Sequence, residues 1–117
     1  MTASPSPCLS IERALEYIGD MDGVLTLLAT LQASLEQDLP EIQARLDAGN
    51  LPSAHELLHQ LKGFAPVFCA DDVVAQVMAV EALSKQTDLA AVRQAYASLA
   101  PRLQQLLAEV TARRAAG

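Results

Sequence analysis

Tryptophan is absent from the chain, and aromatic residues make up 3% of it: Tyr17, Phe64, Phe68 and Tyr96. So few rings give no platform on which nucleobases could stack. They also leave the core to Leu, Val, Ile and Ala, a composition suited to helices packed on helices. Positive charge is scarce as well, with 8 Lys and Arg against 14 Asp and Glu, a net charge of −6. Phosphate backbones need clustered Lys and Arg, and anionic lipid surfaces attract basic segments, so neither nucleic acid nor membrane is expected as a partner. No apolar run reaches the roughly 18 residues of a spanning helix. The opening MTASPSPCLS has neither the basic start nor the apolar stretch of a secretory leader. Only two cysteines occur, Cys8 and Cys69, far apart and without CxxC spacing. Two free thiols in a reducing compartment are the expectation, and the chain is read as cytoplasmic. There is no alternating strand pattern, no hairpin turn pair and no glycine loop of the kind that cradles phosphates.

What remains is 117 residues, 51% of them hydrophobic. That length suits one domain, with a core that needs neither metal nor disulfide. Residues 1–9, with two prolines, two serines and a threonine, read as a flexible N-terminal arm, and 10–115 as the folded unit. Ser10 is placed to cap a short helix carrying Ile11, Ala14, Leu15 and Ile18, which Gly19 ends. After Asp20-Met21-Asp22-Gly23 an apolar stripe runs Val24, Leu28, Leu31, Leu35, Leu39, Ile42, Leu46, at steps of three and four. Pro40 interrupts that stripe and predicts a kink or break near Asp38. A third helix is expected from Leu51 or Pro52 to about Phe68. A fourth, opening at Asp71 or Asp72, carries Val73, Val77, Val80 and Leu83. A fifth, from Thr87 or Asp88, carries Leu89, Val92, Tyr96, Leu99, Leu103, Leu106 and Val110. The carboxylates of Asp20, Asp22, Asp71 and Asp72 read as helix-start charges. The fold class is therefore all-α: an antiparallel up-and-down four-helix bundle with a short extra N-terminal helix.

Chemistry concentrates in one segment, His55-Glu56-Leu57-Leu58-His59-Gln60-Leu61-Lys62-Gly63. At about 100° per residue, Leu51, Ala54, Leu57, Leu58, Leu61, Ala65 and Phe68 share one arc of the helix. His59 and Gly63 fall nearly opposite its centre. Lys62 and His55 flank them on one side, Glu56 on the other. A core histidine would sit in the apolar arc, and this one points to solvent. Glycine inside a helix costs roughly 1 kcal/mol relative to alanine. Close approach of a partner over Gly63 would account for its presence. An exposed imidazole, with an ordinary pKa of about 6.5, is a competent nucleophile near neutrality. His59 is then the candidate phosphoacceptor, Lys62 the residue that holds phosphate charge and Gly63 the clearance for the partner. His55 is expected to be a solvated helix residue and Glu56 a plain surface charge. Cys69 and Phe68 are expected to be core filler.

The run His59-Gln60-Leu61-Lys62-Gly63, placed in the third long element of an acidic bundle, resembles the motif of histidine phosphotransfer (HPt) domains of bacterial phosphorelays. The likeness extends from about Ile11 to Val110. It includes a leucine-rich helix with an internal proline before the motif and Glu81-Ala82-Leu83 after it. It implies a phosphorelay intermediate in which His59 accepts a phosphoryl group from a receiver-domain aspartate and passes it to, or back to, another receiver. The partners implied are receiver domains of response regulators or of a hybrid sensor kinase. No cofactor is expected on this chain, since the receiver supplies Mg²⁺; no autokinase activity is expected either, and the chain is read as a monomer. Its start at Met1 with a loose arm points to a free-standing protein. The sequence departs from the family at Phe64, where a small residue is usual and where the edge of the apolar arc offers packing. Cys69 stands where glycine is usual. Pro66 lies on the His59 face and predicts a kink one or two turns beyond it.

His55-Glu56-Leu57-Leu58-His59 also spells H-E-x-x-H, the signature of zinc hydrolases, in which two histidines bind the metal and the glutamate acts as base. Glu81 lies at a distance that some such enzymes use for a third ligand. With no strands to roof a cleft and little spare length, the expectation is no metal. The zinc hydrolase stands as the alternative, together with an inert helical adaptor in which His59 does nothing.

Overall fold

In the computed structural model, which describes residues 8–116, four of the five helices open on a side chain that accepts a hydrogen bond from the backbone it precedes. Ser10 accepts from Arg13 N–H ahead of α1 (Ile11–Ile18), and Asp20 from Gly23 N–H ahead of α2 (Met21–Asp47). Asn50 does so for α3 (Leu51–Phe68) and Asp88 for α5 (Leu89–Ala115). The exception is α4 (Asp71–Ser84), whose N-cap is Ala70 and whose first turn instead carries Asp71 and Asp72 next to the exposed amides. Gly19 and Gly49 take positive φ, 99° and 77°, and close the two tight corners on either side of α2.

The helices form a ring. α2 packs on α3 and α5, α4 packs on α3 and α5, and α1 lies across α2 and α3. Short connections make neighbours antiparallel. The chain is thus the all-α bundle with an extra N-terminal helix that the periodicity predicts. The interior is aliphatic: Val24, Leu28, Leu35, Ile42, Leu46, Leu58, Leu99, Leu103, Leu106 and Val110 are fully buried. Tyr96 and Phe68 are the aromatic residues buried inside, and the Tyr96 hydroxyl donates to Leu39 O at 3.2 Å. Among the described residues no helix is long and apolar enough to cross a membrane.

Two expectations need correction, the break at Pro40 and the loose arm through residue 9. The helix expected to kink or break near Asp38 continues through Pro40 to Asp47. Pro40 and Glu36 are both exposed, so the Glu36 carbonyl that loses its partner can turn to water. Pro66 also lies inside a continuous helix, α3, which runs to Phe68. The arm expected to stay loose through residue 9 is fixed earlier: residues 1–7 lie outside the described residues, but Cys8 and Leu9 are buried. Their backbone N–H groups donate to Glu109 Oε1, Cys8 O accepts from Ala70 N–H, and Leu9 bridges to Cys69. Arg13 closes the clasp by donating to Cys69 O at 2.8 Å and pairing with Asp71. Apolar side chains at 8 and 9 explain the difference, since burying them outweighs the turn-forming composition around them.

Candidate functional site: a histidine pair on a buried carboxylate

The middle of α3 presents its solvent face beside α4. Leu57, Leu58 and Leu61 are buried and turn the opposite side of the helix outward. His59 stands on that outer side with 67% of its side chain exposed. Gly63, one turn on, is exposed, and a Cβ built there meets nothing within 4 Å. Among the described residues no contact requires glycine at that position.

The hub of the site is Glu81 on α4, only 1% exposed. Its Oε2 lies 3.3 Å from His59 Nδ1 and 3.8 Å from His55 Nε2. Its Oε1 lies 3.5 Å from Lys62 Nζ and 3.7 Å from Lys85 Nζ. Burial alone pushes the Glu81 carboxyl up. The His59 hydrogen bond and the Lys62 and Lys85 charges outweigh that and hold it below its ordinary value. The carboxylate is therefore ionised near neutrality and accepts from His59 Nδ1–H. With Nδ1 so engaged, the other ring nitrogen of His59, Nε2, carries the free lone pair.

His55 departs from the solvated role expected of it. Its side chain is 28% exposed and its Nδ1 lies 2.7 Å from Ser84 Oγ. One turn along α3 separates the two rings, whose centroids are 6.0 Å apart. Lys62 is two-thirds covered, and its ammonium rests on Glu81. Glu56 is exposed, as expected of a surface charge. Phe64 packs at the edge of the core, bordering a shallow hollow with Leu27, Leu31 and Phe68. Pro66 is half-buried, and Cys69 is fully buried at the end of α3.

The sequence reading gave Glu81 a role only as a third ligand for the zinc alternative and no part beside a phosphoacceptor His59. The signal was present. Val73, Val77, Val80 and Ser84 mark the inner face of α4, and a glutamate next to Val80 falls on that face. A buried, charged side chain needs partners, and α3 supplies them at His55, His59 and Lys62.

The model of the Hpt domain family matches residues 26–114. The chain belongs to the Hpt domain family. Hpt domains carry out histidine phosphotransfer in phosphorelays and work with receiver domains. The matched span of this Hpt domain holds α3 and α4, most of α2 and all but the last residue of α5, and so the whole constellation around Glu81. No curated protein and no solved structure matches the chain.

Proposed function

We propose that His59 is the phosphoacceptor of this Hpt domain and that it exchanges a phosphoryl group with the aspartate of a receiver domain. The observation that carries this reading is the exposed imidazole whose inner nitrogen is held by a buried carboxylate. The Nε2 lone pair attacks phosphorus in line. The new N–P bond forms as the bond from phosphorus to the aspartyl oxygen breaks, and the aspartate leaves as a carboxylate. The proton on Nδ1 stays where it is. As Nε2 donates its pair the ring gains positive charge, and Glu81, 3.3 Å from Nδ1, stabilises that charge. The reverse sequence returns the group to a receiver.

Lys62 can reach from Glu81 to the phosphoryl oxygens, since the His59 side chain lies three residues back on the same surface. The bare backbone at Gly63 lets a partner close over the imidazole. Mg²⁺ belongs to the receiver in this scheme, and the Hpt domain transfers a phosphoryl group that another protein has generated. Candidate partners are receivers of response regulators or of a hybrid sensor kinase, met by a monomer in the cytoplasm.

The test is incubation of the purified domain with receivers carrying a radiolabelled aspartyl phosphate. Label should pass to the wild type and not to His59→Gln, with the helical circular dichroism unchanged. Label on the variant would remove His59 from the reaction. An inert adaptor would take no label in either form, and a zinc hydrolase would cleave substrate only with metal added.

A further inference from the structure

His55 takes no part in the transfer just described, yet its protons are fixed by its neighbours. The Ser84 hydroxyl donates to Glu81 O at 2.5 Å, so its oxygen is left to accept from His55 Nδ1–H at 2.7 Å. In the neutral ring this places a lone pair on Nε2, and that atom faces Glu81 Oε2 at 3.8 Å. Two acceptors face each other there, and either a proton on Nε2 or a metal cation between them would join them. His59 Nδ1 lies on the same oxygen, and one donor atom from each of His55, His59 and Glu81 lies within 4.8 Å of the other two.

We propose that His55, His59 and Glu81 form a binding site for a divalent transition metal of the zinc type, and that metal there and phosphate on His59 exclude each other. The second statement rests on the phosphorelay reading; the first does not. Zinc bonds of about 2.0–2.2 Å set tetrahedral donor separations near 3.4 Å, close to the 3.3 and 3.8 Å already present. Two imidazoles and one carboxylate suit Zn²⁺ and not Mg²⁺, which prefers oxygen. Water from the exposed side would fill the fourth position. The Ser84 hydroxyl orients His55 from behind, as hydrogen bonds to ligating histidines commonly do. Lys62 and Lys85 face the other oxygen of Glu81 at 3.5 and 3.7 Å; their charge opposes the metal and keeps its affinity moderate.

Exclusion follows from the proton inventory of His59. Free, the neutral ring carries its one proton on Nδ1 and its nucleophilic pair on Nε2. Metal takes the Nδ1 pair, so the proton moves through solvent to Nε2 and the nucleophile is lost. The coupling is reciprocal: phosphate on Nε2 keeps the proton on Nδ1 and closes the metal site.

Titration calorimetry with ZnCl₂, with MgCl₂ as the comparison, tests the site. One Zn²⁺ per chain is expected, with binding at least about tenfold weaker for His55→Ala, His55→Gln and Glu81→Gln, and no Mg²⁺ binding. Circular dichroism checks that each variant is folded. Long-range ¹H–¹⁵N spectra should show His59 Nε2 passing from unprotonated to protonated as zinc is added. Zinc should slow phosphorylation of the wild type at least about tenfold and leave His55→Ala at its own metal-free rate. Absence of zinc binding, or equal binding by the folded His55 variants, overturns the site. Bound zinc with Nε2 still unprotonated overturns the exclusion. A chain that binds zinc through these residues yet never accepts phosphate sinks the phosphorelay reading and leaves the metal site supported.

Discussion

Gly63 is the residue at which function and stability part most clearly. The helix around it would gain from any side chain, because a Cβ there meets nothing. Gly63→Ala should therefore raise stability by about 0.5–1 kcal/mol in urea denaturation. Gly63→Leu should also fold at least as well as the wild type while blocking transfer from a phosphorylated receiver; an unchanged transfer rate would show that clearance over His59 is not its role. Lys62→Ala should slow transfer without unfolding the chain, its ammonium being partly exposed and bound only to Glu81. The thiols make a separate prediction. Burial pushes Cys69 up to about 12, and burial together with the Glu109 charge raises Cys8. Neither should react with iodoacetamide at pH 8 in the native protein, and both should react in denaturant. That His59 and Gly63 face solvent was legible in the sequence, because a position on a single helix fixes which way it faces. The Glu81 hub was not, since it depends on how α4 lies against α3, which no periodicity within one helix records.

At the scale of the element, the apolar stripes were a reliable guide and the break suggested at Pro40 was not. Steps of three and four from Val24 to Leu46 locate α2, and the residues they name are the ones buried. Propensity puts a break at Pro40, but seven buried side chains along 27 residues hold the helix together across it. The lost hydrogen bond and the ring's crowding remain as a cost. Pro40→Ala should therefore stabilise the bundle by about 1–3 kcal/mol, measured by thermal or chemical unfolding. A loss of stability would mean that packing on α3 and α5 uses the curvature that the proline imposes. The segment Val73 to Val80 could have been a strand on composition alone; as a helix it packs its valines on α3 and α5.

For the whole molecule, one aliphatic interior links all the helices, and truncation at its centre should be felt everywhere. Leu103→Ala, at a fully buried position of α5, should cost about 2–5 kcal/mol and lower the midpoint of a cooperative unfolding transition. The overall ring of helices could be read from stripes and short connections. The N-terminal clasp could not, because Pro and Ser around Cys8 and Leu9 suggest freedom, while Glu109, a hundred residues away, supplies the acceptor. That clasp also has a mechanical side. Leu9 is moored to Cys69, ten residues beyond His59 and about 15 Å along the axis of α3. A tag or fused receiver joined ahead of residue 8 would thus hang on a short leash from the helix that bears His59. The leash would set both the local concentration of such a receiver and the side from which it approaches the imidazole.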